Sequence, residues 1–293
     1  MSTTPANRAT SPRTRAASWR FVRDLLTATL GLGILLILAF PIIWVVLTSV
    51  RPDSALFSDS FNLLSEKLTL DSYRSLLEDS TFPTYIRNSI IVCVVAAAIS
   101  MVVALLAAYG FSRHRRFRWR STLLILVIAT QLFPFVILIT PIYAIFFRLG
   151  LTNSFIGLII SYVAISMPFS IYMLLGYLDT IPKELDEAAV IDGTTTLGVI
   201  FRIILPVAWP GLVTVGVYSF VSMWDEFLFA LTFMTDDSRK TVPVGLASFF
   251  GEYTAHWNLV MSASVIATLP TLVLFMIIQK KLVSDLAAGA VKQ

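Results

Sequence analysis

Two adjacent carboxylates at the end of an apolar segment, Asp225 and Glu226, are the residues best suited to chemistry inside a membrane. A charge at membrane depth costs about 2.5–3.5 kcal/mol, so such a residue usually has a function. Three interpretations stay open: the pair caps or bonds neighbouring helices, it lines a solute path beside Trp224, or it couples a carrier to protons. Two polar residues could join such a path: Gln131 of another apolar segment and Tyr218 of the same one.

A polar connection between two apolar segments, residues 179–206, carries the second informative pattern. Its first part predicts a short helix with one face formed by Leu185, Ala188, Ala189 and Asp192. Gly193 predicts a left-handed stop, and Thr194 or Thr195 predicts the cap of a second helix. That helix has an apolar stripe at i, i+3, i+4, i+7 and i+8, formed by Leu197, Ile200, Phe201, Ile204 and Leu205. Pro206 ends it or opens the next helix, and such an angled pair is suited to docking in a groove of a partner.

Long apolar segments precede both the carboxylate pair and the polar connection. Of the 293 residues, 57% are hydrophobic and 14% are charged, against roughly 25% charged residues in an average soluble domain. The runs without charge are 25–50, 88–111, 121–147, 149–178, 203–224 and 257–279. Each can cross a hydrocarbon layer of roughly 30 Å, and the alternating polarity of membrane strands is absent. The sequence therefore predicts an all-α polytopic membrane protein with six transmembrane helices, kinked or opened at Pro41, Pro134, Pro141, Pro168 and Pro270.

The basic residues predict the orientation of the chain. Of the 22 Lys and Arg residues, 15 fall on the side of both termini and 7 on the other side, which predicts cytoplasmic termini. The first run is longer than the 7–15 residues of a signal-peptide core, so we expect a retained helix. We expect a basic cytoplasmic N-terminus over residues 1–24, disordered over 1–18, a membrane domain over 25–283 and a cytoplasmic tail over 284–293.

The polar connection contains Glu187-Ala188-Ala189, then Gly193, then Ile203, Leu205 and Pro206. This pattern resembles the EAA loop of bacterial ABC-importer permeases, which forms coupling helices that sit in a cleft of an ATPase subunit. Other segments are similar to the carbohydrate-uptake branch of that family: residues 47–52, 70–73, 88–89, 224–228 and 288–292. The chain most resembles the smaller, six-helix permease of the maltose and glycerol-phosphate importers, although that branch often has Asn at the position of Asp225.

The resemblance implies a complex of this permease with a second permease, two ATPase subunits and an extracytoplasmic binding protein, in the cytoplasmic membrane of a bacterium. It implies that the ATPase-coupling residues are Glu187, Ala188, Ala189, Asp192, Gly193, Leu197, Ile200, Phe201, Leu205 and Pro206. Within this set Glu187 would pair with a basic residue of the ATPase, and Leu197, Ile200 and Phe201 would fill its groove. The implied substrate is a carbohydrate, best a di- or oligosaccharide, with a path lined by Gln131, Tyr218, Trp224, Asp225 and Glu226.

The sequence predicts no enzyme activity in this chain. No glycine is followed by lysine, so the phosphate loop G-x-x-x-x-G-K-[ST] is missing, and we expect ATP and Mg²⁺ on the partner ATPase with no cofactor bound here. His114 and His256 lack metal-ligand spacing. The arginines of residues 113–120 lie between membrane segments and predict contact with the lipid bilayer rather than with nucleic acid. Two alternatives stay open: a proton- or ion-coupled secondary carrier that uses Asp225 and Glu226, and a non-transporting membrane scaffold.

Overall fold

The computed structural model describes residues 12–52, 68–78, 81–114, 117–250 and 256–290, with side chains from residue 23 to residue 279 of those ranges. The regular elements in these ranges are helices, which confirms the predicted all-α fold. They are α1 (Pro12–Ser49), α2 (Asp71–Glu78), α3 (Phe82–Arg113), α4 (Arg120–Ala129), α5 (Phe135–Arg148), α6 (Phe155–Leu178), α7 (Glu184–Ile191), α8 (Thr196–Val207), α9 (Trp209–Trp224), α10 (Leu228–Phe233), α11 (Val242–Ala247) and α12 (Trp257–Ala290). Short 3₁₀ turns follow α4 at Thr130–Leu132 and α10 at Asp237–Arg239.

Four described helices are long and apolar enough to cross a membrane alone: Arg23–Ser49 of α1, all of α3, all of α6, and Trp257–Gln279 of α12. Two further candidates are bent pairs, and counting each pair as one span brings the total of the described chain to six. The first pair joins Arg120–Leu132 to α5 at 96°, and the second joins α8 to α9 at 82°. The predicted apolar runs therefore coincide with four unbroken helices and two bent pairs, which gives four to six candidate spans in the described part of the chain.

The first bend lies at the predicted proline. Pro134 has an extended backbone immediately before α5, because proline fixes φ and cannot donate the hydrogen bond that would continue the preceding helix. The second bend lies at Ala208, and the second helix of that pair begins at Trp209. Pro210 occupies the first turn of α9, where a missing N–H costs nothing.

Helices α3, α6 and α9 form the centre of the bundle. Small hydroxyl side chains allow these helices to approach and then bond across the contact. Ser100 of α3 lies 2.9 Å from Ser166 of α6, oxygen to oxygen, and Ser170 of α6 lies 3.2 Å from Ser219 of α9. One apolar cluster surrounds the end of α3 near Phe82, and a second surrounds its other end and extends under α7 and α8.

The start of α3 holds the loop that precedes α11. The Asn88 side-chain amide donates to the backbone carbonyls of Ser238 (2.9 Å) and Lys240 (3.0 Å). The Ser89 hydroxyl accepts from the backbone N–H of Val242 at 2.8 Å. These contacts give a structural reason for an Asn-Ser pair at this place: it fixes an irregular loop onto a membrane helix.

Helices extend past the bounds of the predicted membrane domain at both ends of the chain. Helix α1 begins at Pro12, within the stretch for which the sequence predicts disorder, because residues 12–18 continue helically into the first apolar run. Residues 1–11 lie outside the described residues. Helix α12 runs through Ala290, so it extends over most of the predicted tail, and residues 291–293 also lie outside the described part.

Candidate functional site

The polar connection folds into two short helices joined by a tight turn, as predicted. Helix α7 ends at Ile191, and Gly193 follows with φ +79°, the left-handed conformation expected of a stop residue. Thr195 has extended backbone, and its hydroxyl accepts a hydrogen bond from the Gly198 N–H at 3.3 Å. Of the two threonines considered from the sequence, Thr195 is therefore the cap of α8.

A π-helical segment inside α8 changes which apolar residues face outward. Val199–Ile204 is π-helical, so the spacing of a 3.6-residue turn does not apply there. Ile200 and Ile204 are 4% and 0% exposed and pack in the chain's own core, whereas Leu197 and Phe201 are 62% and 43% exposed. The expected single stripe is thus split into two faces. Ile200 supports α8 from within, which corrects the expectation that it fills a partner's groove.

The outward surface of the α7–α8 pair combines apolar and acidic residues. Helix α7 exposes Glu187 and Ala188 but buries Ala189, and Asp192 and Gly193 are exposed at the turn. Two apolar residues that the sequence analysis did not select are among the most exposed, Val190 at 60% and Ile191 at 85%. At the end of α8, Leu205 is half-buried and Pro206 is exposed. Three selected residues, Ala189, Ile200 and Leu205, therefore lie wholly or partly beneath the surface.

An ion pair that the sequence analysis missed attaches α7 to the end of α3. The Arg113 Nε lies 2.7 Å from Asp186 Oδ2, and Nη2 lies 3.2 Å from Oδ1. The side chains are only 8% and 12% exposed. The same guanidinium donates to the backbone carbonyl of Ile181 at 3.2 Å and lies over the ring of Tyr109 at 5.9 Å. Reasoning from apolar faces leaves out Asp186, because its side chain is charged. Asp186 and Ala189 are nevertheless three residues apart, the spacing of one helix face, and both are buried.

A second polar contact holds the chain just before α7. The Ser112 hydroxyl donates to Asp179 Oδ1 at 2.6 Å, and Arg120 Nη2 lies 3.9 Å from the other carboxylate oxygen. Arg120 also donates through Nε to the carbonyl of Phe111 at 2.7 Å. Two residues of the arginine-rich segment thus make contacts within the protein, where the sequence predicts contact with lipid.

A cavity of about 320 Å³ with a mixed polar and apolar lining lies where the break after α4 meets α6 and α9. Its lining brings together three of the five predicted path residues, Gln131, Tyr218 and Glu226. The other lining residues are Phe135, Tyr162, Ile165, Ser166, Ser222 and Met223. Amide, hydroxyl and carboxylate groups therefore share this space with aromatic rings, a combination that suits a ligand with both hydroxyl groups and apolar ring faces.

Glu226 is a helix cap as well as a cavity residue. Its Oε1 accepts from the N–H of Phe229 at 2.9 Å, and its Oε2 accepts from the N–H of Ala230 at 3.2 Å. Asp225 and Glu226 both follow the end of α9, which stops at Trp224. The contacts of Glu226 favour the structural interpretation of this carboxylate.

Trp224 and Asp225 lie apart from the cavity. Trp224 is 3% exposed, stacks on Phe220 at 5.6 Å between ring centroids, and does not belong to the cavity lining. Asp225 is exposed at the end of α9, also outside the lining. The described residues contain no group of three or more His, Cys, Asp or Glu side chains that could hold a metal ion.

Broken apolar helices, a two-helix loop outside the bundle and a polar cavity within it define a polytopic helical transport protein. The family model for the inner membrane component of binding-protein-dependent transport systems matches residues 100–287. This chain belongs to that family.

Similar proteins cover most of the chain. The sulfoquinovosyl glycerol transport system permease SmoH of Agrobacterium fabrum is 34% identical, with 86% of this chain and 88% of SmoH covered. The trehalose/maltose transport system permease MalG of Thermococcus litoralis is 38% identical, with coverage of 88% and 92%. A crystal structure of a bacterial ABC transporter involved in alginate import contains a chain with TM-score 0.78 and 21% identity, covering 94% of this chain and 99% of that chain. That likeness supports the fold.

Proposed function

We propose that this chain is the permease subunit of an ATP-driven carbohydrate importer and that it couples to a separate ATPase through the α7–α8 pair. The observation that carries this proposal is the exposed apolar surface of the α7–α8 pair. Ile191, Leu197 and Phe201 project from two helices whose other faces pack in the core. Exposed apolar residues on short, fixed helices are typical of a segment that docks into a groove of a partner.

The substrate class is supported by the relatives and by the cavity. The permeases named above belong to systems for a sulfoquinovosyl glycerol and for trehalose and maltose. The cavity offers Gln131, Tyr218 and Glu226, side chains that bond hydroxyl groups as donors and acceptors. A di- or oligosaccharide passing between this permease and a second one would contact this lining.

The proposed assembly consists of this permease, a second permease, two ATPase subunits and an extracytoplasmic binding protein in a bacterial cytoplasmic membrane. ATP and Mg²⁺ would be bound by the ATPase subunits, and both termini of this chain would be cytoplasmic. A structural relative was crystallised in complex with a periplasmic protein bound to an alginate pentasaccharide, which supports the presence of a binding protein.

Co-purification from native membranes in mild detergent tests the coupling. We expect wild-type chain to bring down an ATPase and a second permease, and Ile191→Ser with Leu197→Ser to lose the ATPase but keep the second permease. Leu149→Ser is the matched control, since Leu149 is 64% exposed in the turn at the opposite end of α6. It should keep both partners.

Reconstitution of the purified complex in liposomes separates the alternatives. An importer should accumulate sugar only with ATP and binding protein. Uptake by the chain alone, driven by a proton or ion gradient, would establish the secondary carrier. Partner binding without any solute flux under ATP would establish the scaffold, and either result would overturn the proposal.

A further inference from the structure

We infer that Arg113 and Asp186 clasp α7 to α3, so that the coupling loop and the end of a central membrane helix move as one rigid body. The inference rests on the proposed coupling to an ATPase and assigns positioning roles to two residues outside the surface that would dock. In this arrangement a displacement of α7 is carried directly into α3.

The attachment of α7 depends on very few side chains. This helix has eight residues, too short for stable helix formation on its own. Only Asp186 and Ala189 are buried. Ala189 contributes a single methyl group to the apolar cluster, whereas Asp186 makes two charge-assisted hydrogen bonds to one guanidinium. The contact with Arg113 is therefore the strongest polar constraint on the orientation of α7, beside the packing of α7 against the π-helical segment of α8.

The geometry of the contact opposes rotation as well as separation. Two parallel N–H···O bonds hold a carboxylate in the plane of a guanidinium, which a single ammonium group cannot do. The remaining donors of Arg113 reach the carbonyl oxygens of Leu178 (3.4 Å) and Ile181 (3.2 Å), at the end of α6 and just after it. One side chain thus joins α3, α6 and α7.

Helix α3 connects this contact to the opposite end of the bundle. Arg113 and Asn88 belong to the same helix, and their separation of 25 positions corresponds to roughly 38 Å at 1.5 Å per residue. Asn88 holds the carbonyls of Ser238 and Lys240 in the loop before α11. A rigid connection through Arg113 would therefore relate the position of α7 to that of a loop on the other face of the membrane.

Paired spin labels on α7 and at the end of α3 test the rigid body directly. The labels are placed by Glu184→Cys and His114→Cys, both exposed sites outside the proposed docking residues, in a Cys93→Ala background. Double electron–electron resonance on the purified complex should give one narrow distance distribution, unchanged when ATP closes the ATPase pair. Arg113→Lys and Asp186→Asn should broaden this distance distribution, because each substitution removes one of the two charge-assisted hydrogen bonds. Arg118→Lys, the same change at an exposed arginine, should leave it narrow.

Transport measurements supply the functional readout. In complexes that retain the ATPase, Arg113→Lys should lower the number of sugar molecules imported per ATP by about fivefold or more, and Arg118→Lys should not. A wild-type distance that changes with nucleotide, or an unchanged ratio in both Arg113→Lys and Asp186→Asn, would overturn the clasp while the importer function stands. If wild type purifies without an ATPase, the proposed function fails, and the label distances in the isolated chain still decide the clasp.

Discussion

The indole Nε1–H of Trp224 donates to the backbone carbonyl of Ala267 at 3.0 Å. This bond ties the last residue of α9 to the first third of α12. The sequence places Trp224 beside two carboxylates and suggests a residue that stacks on a sugar. Its indole instead bonds α9 to α12, a role that suits a large ring with one polar N–H group.

Trp224→Phe should destabilise the protein by about 1–2 kcal/mol, from the lost hydrogen bond and the smaller ring in a packed site. Thermal unfolding of the detergent-solubilised chain measures this change. Trp209→Phe is the control, because Trp209 lies at the start of the same helix and is 51% exposed. Equal unfolding temperatures for the two variants would show that the bond to Ala267 contributes nothing.

Two glycines should respond to alanine in opposite directions. A Cβ at Gly157, in the first turn of α6, would lie 2.3 Å from the carbonyl oxygen of Leu151, and that backbone must shift to admit it. Gly157→Ala should therefore cost about 1–3 kcal/mol. A Cβ at Gly110 in α3 meets no atom within 4 Å, so Gly110→Ala should stabilise that helix by about 0.5–1 kcal/mol. Unfolding in detergent compares both with wild type, and a stable Gly157→Ala protein would contradict the packing.

Local patterns predicted the elements of the fold, because each depends on neighbours in sequence. Uninterrupted apolar runs predicted the long helices, Gly193 predicted the left-handed turn, and one of two threonines predicted the cap of α8. The break at Pro134 followed from the chemistry of proline. These features require no knowledge of what packs against the segment.

Features that depend on distant contacts were not predictable. Arg113 and Asp186 are 73 residues apart, and nothing in their local sequences relates one to the other. The π-helical segment of α8 places Val199, Ile200 and Ile204 in a core built mainly by other helices, which the local sequence does not reveal. The lining of the cavity also depends on distant contacts. The sequence therefore predicted five path residues but could not distinguish Gln131, Tyr218 and Glu226, which line the cavity, from Trp224 and Asp225, which do not.

The turn of the coupling loop should tolerate only residues that accept a left-handed backbone. Gly193 has φ +79° and open space around its Cβ position, so backbone strain alone decides the outcome. Gly193→Val should cost about 1–3 kcal/mol locally and reduce ATPase association or uncouple hydrolysis from uptake, whereas Gly193→Asn should stay near wild type. Co-purified ATPase and sugar imported per ATP are the measurements.

The control for this prediction is a second left-handed glycine away from the loop. Gly150 has φ +67° and equally open surroundings, and it lies at the opposite end of α6. Gly150→Val should show similar strain in unfolding experiments but normal ATPase association. Normal transport by Gly193→Val, or equal loss of ATPase in both valine variants, would contradict a specific role for this turn.

Substitutions of the neighbouring carboxylates Asp225 and Glu226 should have different effects on both stability and transport. Glu226→Gln keeps only one acceptor oxygen for two backbone N–H groups, so α10 loses part of its cap at a cost of about 1 kcal/mol. Asp225 is exposed, so Asp225→Asn should change the free energy of unfolding by less than about 0.5 kcal/mol. Since Glu226 alone of the two lines the cavity, its variant should also raise the half-saturating concentration of binding-protein-delivered sugar by about tenfold. Unfolding and initial uptake rates in liposomes test both effects.

If Glu226→Gln lowers stability but leaves uptake unchanged, the carboxylate acts only as a helix cap. If Asp225→Asn has the larger effect on uptake, the sugar path lies on the other side of this turn.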